Sequence, residues 1–223
     1  MFLEVEDVLT AAEVAQLRAL AAKAKFVDGR ISSPNSPVKD NLQIDHADQA
    51  YQQSSQLMAQ ALMRSEAFRN FAFPALMAPP LLARYEPGMK YGAHSDSAFI
   101  QLGQRQLRSD LSCTIFLGEP ESYEGGALSV RLGARAVQFK LKPGAAVVYP
   151  STTLHEVTPV TSGERLVGIT FIESQIPDPA YRELLYELDE VAALEGANMS
   201  WENRVRLQYV RTNLRRIWSS SAR

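Results

Sequence analysis

The sequence of 223 residues has few of the side chains that most often build reactive or metal sites. It contains one cysteine, Cys113, and three histidines, His46, His94 and His155. A single cysteine excludes an internal disulfide, and its position in the apolar run 111–117 predicts a packing role rather than a reactive thiol. Any metal site that uses imidazole must draw on these three histidines.

Charge and hydropathy argue against several classes of partner. The formal net charge is −2 at pH 7, which indicates neither a nucleic-acid-binding face nor a basic membrane-binding face. No apolar run approaches the length of a bilayer span, and the acidic N-terminus lacks the pattern of a signal peptide. We therefore expect a reducing, cytoplasmic setting, with neither nucleic acid nor membrane as a partner.

The hydropathy pattern divides the chain into three regions. Residues 1–74 are predicted to be a helical support region, with helices over 11–25 and 48–68. Residues 75–176 contain short apolar runs between Gly/Pro turns, a rhythm typical of an antiparallel sandwich or barrel. Residues 177–223 are helical again, and their apolar stripes are expected to be buried. The stripes comprise Leu184, Leu185, Leu188, Val191, Val205, Leu207, Val210, Leu214 and Trp218. The predicted fold class is α+β with a mainly β core.

The candidate metal site begins at His94 and Asp96, at the end of a predicted strand. Side chains two positions apart on a strand point the same way, so this His-x-Asp presents an imidazole and a carboxylate to one point. His155 follows another apolar run and is the candidate third ligand, because His46 has no second ligand at a suitable spacing. Two imidazoles and one carboxylate on one face of a metal are typical of non-haem Fe(II) oxygenases. A cupin-type zinc hydrolase is an alternative, although no His-Glu-x-x-His helix is present.

Arg165 stands at the start of the last long predicted strand, where its guanidinium would reach the interior of the barrel. A buried arginine needs an anionic partner, and none is obvious in the neighbouring sequence. A ligand carboxylate held by the guanidinium fork would be such a partner. The alternative is that Arg165 is exposed on an edge strand.

A longer set of motifs runs through the same region in a fixed order. It comprises Tyr85-x-Pro-Gly-x-x-Tyr91-x-x-His94-x-Asp96, Arg108-Ser-Asp-Leu-Ser112, Tyr123-Glu-Gly-Gly126-x-Leu128, Lys142-Pro-Gly144, Tyr149-Pro-Ser151 and Leu154-His155-x-Val-x-Pro-Val160-x-x-Gly163-x-Arg165. This set resembles the bacterial PKHD-type hydroxylases, which are Fe(II)- and 2-oxoglutarate-dependent dioxygenases related to prolyl and lysyl hydroxylases. The C-terminal helical segment is also similar to the tail of that subfamily.

The resemblance implies a double-stranded β-helix, or jelly roll, flanked by the N-terminal and C-terminal helices. It implies that His94, Asp96 and His155 bind iron, that Arg165 pairs with the distal carboxylate of 2-oxoglutarate, and that Tyr85 hydrogen-bonds this cosubstrate. The implied cofactors are Fe(II), 2-oxoglutarate and ascorbate as the reductant. The implied reaction hydroxylates a peptidyl side chain or a small molecule, with a link to iron uptake, and releases succinate and CO₂.

Three matters stay open in the sequence. A non-catalytic jelly-roll sensor that binds iron or 2-oxoglutarate and regulates a partner would use the same residues. The substrate is also open, because residues 29–45 and a loop at 97–109 are expected to wall the site but identify no molecule. The apolar C-terminal helices are a candidate homo-oligomer interface.

Overall fold

A β-rich core lies between helices that precede and follow it along the chain. The computed structural model describes residues 1–34 and 36–220. The helices are α1 (Ala11–Lys23), α2 (Gln49–Arg64), α3 (Glu66–Ala72), α4 (Pro179–Glu195) and α5 (Trp201–Trp218). The strands are β1 (Leu3–Val5), β2 (Phe26–Asp28), β3 (Lys39–Asp40), β4 (Leu42–Ile44), β5 (Pro74–Met77), β6 (Leu81–Tyr85), β7 (Lys90–His94), β8 (Phe99–Leu102), β9 (Arg105–Arg108), β10 (Leu111–Phe116), β11 (Tyr123–Gly125), β12 (Leu128–Leu132), β13 (Arg135–Phe139), β14 (Ala146–Pro150), β15 (His155–Val157), β16 (Val160–Gly163) and β17 (Arg165–Ser174).

The larger sheet separates the N-terminal helices from the interior that contains the site. Its eight strands are ordered β1-β14-β10-β17-β6-β4-β2, with β5 also paired to β17. Alternation along β10 places Cys113 and Ile115 in an apolar cluster with Leu17 of α1 and Met58 of α2. Phe116, on the other face, joins the cluster shared with the second sheet. Because both faces are covered, all six residues of β10 are buried, including Ser112 and Thr114, and the predicted burial of Cys113 is confirmed.

The smaller sheet has five strands, ordered β13-β12-β15-β7-β3, and faces the larger sheet across this interior. Val130 and Phe139 from the smaller sheet share an apolar cluster with Phe116 and Val167 from the larger one. Two antiparallel sheets around one core form the double-stranded β-helix that the sequence predicts, and the α+β fold class is confirmed. The division of the chain at residues 74 and 176 stays a prediction.

The single helix predicted over residues 48–68 is wrong, because α2 and α3 meet at Ser65. Ser65 donates its backbone N–H to the last turn of α2, and its hydroxyl oxygen accepts the backbone N–H of Phe68 at 3.3 Å. A serine that ends one helix and caps the next allows the chain to turn there. The change of direction places Phe68 and Phe71 in the apolar core.

The loop expected at residues 97–109 is instead largely a hairpin, in which β8 pairs with β9. Gly103 has the positive φ, 61°, that suits the tight turn between these strands. Leu107 is buried, whereas Phe99 is 57% exposed. The hairpin therefore lacks the regular apolar alternation that would have marked its strands in the sequence.

The expected burial of the C-terminal apolar stripes is largely wrong. Leu185 of α4 is fully buried, but Leu184 and Val191 are exposed, and α5 has no buried residue within the described chain. Asp189 of α4 instead accepts hydrogen bonds from two arginines of α5. Charged pairs thus replace much of the expected apolar packing between these helices. Across residues 1–34 and 36–220, no helix is both long and apolar enough to cross a membrane.

Candidate active site

Three side chains from distant parts of the chain converge on the inner face of the smaller sheet. His94 ends β7 and His155 begins β15, and the two residues lie directly opposite each other in the antiparallel pairing. Their ring centres are 4.3 Å apart. Asp96 follows two residues after His94, and one ligand atom of each of the three residues lies within 4.8 Å of the others. The structure therefore brings the three predicted metal ligands together.

Backbone carbonyls define which imidazole nitrogens face the common centre. His94 Nδ1 lies 2.8 Å from the Gly92 carbonyl oxygen, and His155 Nδ1 lies 2.9 Å from that of Thr153. A carbonyl only accepts, so each Nδ1 donates its proton, and Nε2 is the nitrogen of each ring that is left to bind a metal. The Nε2 atoms lie 3.9 and 3.7 Å from oxygens of Asp96. The pKa of His94 is lowered mainly by burial and, to a smaller extent, by the neighbouring His155. A lower pKa favours the neutral imidazole that a metal requires.

A chain of serine hydroxyls orients the Asp96 carboxylate. Ser112 Oγ donates to Asp96 Oδ2 at 2.5 Å. Ser151 Oγ lies 2.7 Å from Ser112 Oγ and accepts from Ser109 Oγ at 2.8 Å. Such outer hydrogen bonds hold a ligand in position before the metal binds. Ser112 and Ser151 fall within the motifs quoted above, but the sequence did not assign them to the site.

Arg165 lies at the start of β17 and faces the same interior from the larger sheet. It is 1% exposed, which rules out the exposed edge-strand alternative. Its Nε has no hydrogen-bond partner, and no carboxylate of residues 1–34 and 36–220 lies within 4.0 Å of its guanidinium nitrogens. A buried, unpaired guanidinium is unfavourable unless a ligand supplies the anion.

Aromatic rings and one glycine define the space around this guanidinium. Tyr85 pairs with Arg165 across β6 and β17, and the guanidinium lies 4.9 Å from the centre of its ring. Burial raises the pKa of Tyr85, so its hydroxyl stays protonated and can donate a hydrogen bond. Gly126 has a φ of 61°, and a Cβ there would lie 2.9 Å from Val160 Cγ2 and 3.1 Å from Arg165 Cδ. Glycine at 126 therefore leaves room for the arginine stem.

Two inward-facing residues beside the metal ligands were not among the predicted site residues. The Tyr91 ring is stacked on His94, with ring centres 3.6 Å apart and planes at 14°. Lys39 of β3 lies opposite Tyr91 in the pairing of β3 with β7. The sequence indicated only that the segment 29–45 could wall the site. His46 lies elsewhere, stacked on Tyr51 at 4.3 Å.

The donor set fits Fe(II) together with a dicarboxylate cosubstrate. Two imidazoles and one carboxylate leave coordination positions open for a chelating ligand. The unpaired guanidinium of Arg165 then needs a second carboxylate at a distance from the metal. 2-Oxoglutarate has both the chelating end and the second carboxylate.

Comparison with known proteins agrees with this fit. The family model of the 2OG-Fe(II) oxygenase superfamily matches residues 80–173, which include the three candidate metal ligands, Arg165 and Tyr85. A PKHD-type hydroxylase of Sphingopyxis alaskensis is 56% identical over 205 residues, covering 92% of this chain and 94% of that protein. The chain therefore belongs to the PKHD-type hydroxylases within the 2OG-Fe(II) oxygenases. It is an enzyme of the hydroxylase and dioxygenase class, and the family supports Fe(II) and 2-oxoglutarate as its cofactor and cosubstrate.

Solved structures share the fold. A prolyl-4-hydroxylase of Pseudomonas putida aligns with a TM-score of 0.54 and 22% identity, over 78% of this chain and 92% of that chain. A prolyl hydroxylase of Trichoplax adhaerens, in complex with a peptide fragment of the hypoxia inducible factor oxygen degradation domain, aligns with a TM-score of 0.56 and 13% identity, over 77% and 83% of the two chains. At these identities the likeness supports the jelly-roll fold alone.

Proposed function

We propose that His94, Asp96 and His155 bind Fe(II) and that Arg165 binds the distal carboxylate of 2-oxoglutarate, with Tyr85 as a hydrogen-bond donor to the same cosubstrate. The observation that carries the proposal is the buried Arg165 guanidinium, which faces the same interior as the three ligands and has no anionic partner among residues 1–34 and 36–220. A structural arginine would be expected to have a carboxylate beside it.

The reaction proposed is hydroxylation of a substrate C–H bond. When bound, the iron with 2-oxoglutarate and O₂ supplies the oxidising power, and the cosubstrate leaves as succinate and CO₂. The protein contributes orientation. Ser112 holds one oxygen of Asp96, backbone carbonyls hold the two imidazoles, and the rings of Tyr85 and Phe116 keep water from the guanidinium.

The proposal extends to two classes of substrate, a peptidyl side chain and a small molecule connected with iron uptake. The relationship to prolyl and lysyl hydroxylases supports the peptidyl class. Ascorbate is the proposed reductant, because it would return iron to Fe(II) after an uncoupled turnover. Sustained turnover only when ascorbate is added would support that part.

The test couples oxygen-dependent succinate release to mass detection of a product heavier by one oxygen atom. The parent protein should release succinate and form such a product with its substrate, whereas the His94→Ala/Asp96→Ala double variant should do neither. Glu156→Gln is the matched control, because Glu156 lies between His155 and Val157 on β15 and points to the other face of the sheet. Parental succinate release by the double variant would refute the proposal. Tight 2-oxoglutarate binding without succinate release would instead indicate a sensor.

We also propose a cytoplasmic setting and self-association through α4 and α5. The lone buried thiol, Cys113, is compatible with a reducing compartment. Exposed apolar side chains on these helices, Leu194 at 72%, Trp201 at 75% and Ile217 at 72%, support an interface. Light scattering should give twice the monomer mass for the parent and the monomer mass for Trp201→Glu.

A further inference from the structure

Strand β3 places a buried lysine beside the candidate metal site. Lys39 is 7% exposed. Because paired residues of antiparallel strands share one face, Lys39 points inward together with Tyr91. Its Nζ lies 5.4 Å from the centre of the Tyr91 ring, and that ring is stacked on the imidazole of His94. The ammonium group and a metal ligand thus lie against the same aromatic ring.

The ammonium group of Lys39 has no anionic partner in the part of the chain that the structure describes. Nζ donates to Ser32 Oγ at 2.7 Å, and within residues 1–34 and 36–220 no carboxylate oxygen lies within 4.0 Å of it. An ammonium has three protons to donate, and this neutral hydroxyl uses one of them. Burial lowers the pKa of Lys39 to about 8, and the more distant Asp96 and Asp28 only partly oppose this effect. Burying this charge without an anionic partner therefore costs free energy of folding.

The cosubstrate does not supply the missing anion. Arg165 belongs to β17 in the larger sheet, whereas Lys39 belongs to the edge strand of the smaller sheet. In the proposed function, one carboxylate of 2-oxoglutarate goes to the metal and the other to Arg165. Neither is left for Lys39, so its partner must come with the other molecule that enters this interior, the substrate.

We propose that Lys39 binds an anionic group of the substrate, a carboxylate or a phosphate, and so selects acidic substrates. This inference rests on the proposed function, because it assumes that the substrate's reacting C–H bond approaches the three metal ligands. The Tyr91 ring, which lies near both Lys39 and His94, then offers an apolar surface for the stem that joins the anion to the reacting carbon. A neutral substrate of the same shape would leave the ammonium unpaired and would bind less tightly.

The test uses calorimetry on anaerobic protein loaded with Fe(II) and 2-oxoglutarate. The probes are N-acetylglycine, its uncharged amide, and methyl phosphate, so that the first pair differs in one charge and the third tests phosphate. The parent should bind at least one anion more tightly than the amide, and the stronger anion identifies the group. Lys39→Met should weaken binding of that anion about 10-fold to 100-fold, as expected for a hydrogen bond to a charged partner. Lys39→Arg should restore most of the affinity.

Lys90→Met is the matched control. Lys90 lies on β7 next to Tyr91 but is exposed on the outer face, so this variant should keep the parental affinity for the anion. The inference is overturned if the parent does not prefer an anion to the amide, or if Lys39→Met binds the anion as tightly as the parent. It is also overturned if Lys39→Met loses affinity for 2-oxoglutarate instead. The visible charge-transfer band of the Fe(II)–2-oxoglutarate complex reports separately on the proposed function, and its absence from the parent would refute that function while calorimetry still tests Lys39.

Discussion

Replacing Arg165 by methionine should have opposite effects on the empty protein and on cosubstrate binding. In the unliganded protein no carboxylate of the described residues lies within 4.0 Å of this buried guanidinium, so a methionine of similar length removes an unfavourable charge. Contacts with the rings of Tyr85 and Phe116 are partly kept by the new side chain. We expect the unliganded variant to melt at the parental temperature or above it, in contrast to most substitutions of buried residues.

The effect on cosubstrate binding follows from the loss of one charge-assisted pair. That loss costs about 1.5–3 kcal/mol, which is roughly 10-fold to 150-fold in the dissociation constant. At 2-oxoglutarate 100 times above the parental dissociation constant, ligand binding stabilises the parent by about 2.7 kcal/mol, and a 30-fold weaker variant by about 0.9 kcal/mol. At about 2–4 °C per kcal/mol for a chain of this size, the rise in Tm falls from roughly 5–11 °C to roughly 2–4 °C.

Differential scanning fluorimetry with and without 2-oxoglutarate, in the presence of Fe(II) and absence of O₂, measures both effects. Arg84→Met is the matched control, because Arg84 lies next to Tyr85 on β6 but has a carboxylate partner, Glu164, at 3.3 Å. That variant should lose stability and keep the parental rise in Tm. A full rise in Tm for Arg165→Met would refute the assignment of Arg165 to the cosubstrate.

Three further predictions concern the surroundings of the site. Ser112→Ala removes the hydrogen bond to Asp96 and should weaken iron binding about 10-fold to 100-fold in equilibrium dialysis, and unchanged affinity would contradict its orienting role. Gly126→Ala places a Cβ against Arg165 Cδ at a φ of 61° and should lower the free energy of unfolding by about 1–3 kcal/mol in urea titration, whereas a neutral effect would show that the stem can move aside. Burial raises the pKa of Cys113 to about 12, so at mildly alkaline pH a thiol reagent should label it only as the protein unfolds, and rapid labelling of the native protein would contradict the packing.

The central residues of the site were predictable because their chemistry is rare in this chain. With three histidines in all, few metal sites are possible, and His94-x-Asp96 on a strand end restricts them further. The jelly-roll fold was expected from the family resemblance that the ordered motifs carry. The prediction that Arg165 is buried is confirmed. It could be made because the alternation of a long apolar strand sets the direction of a charged residue at its start.

Other features depend on tertiary contacts that have no local signature. Ser65 can cap a helix, but the apolar spacing runs on past it, and only the packing of Phe68 in the core shows that the helix breaks there. The stripe that contains Val205 has helical spacing, yet only its C-terminal members, Leu214 and Trp218, pack against the rest of the described chain, and none of the stripe is fully buried. Lys39 lies in a polar segment, and its inward direction follows from pairing with β7, which is distant in the sequence.

The most direct test of the account is an anaerobic crystal structure of the protein soaked with Mn(II), as a redox-inert substitute for Fe(II), and 2-oxoglutarate. The account predicts a metal ion bound by Nε2 of His94, Nε2 of His155 and a carboxylate oxygen of Asp96, with the far carboxylate of 2-oxoglutarate on the guanidinium of Arg165. A metal bound elsewhere, or a dicarboxylate that leaves Arg165 without a partner, would contradict it.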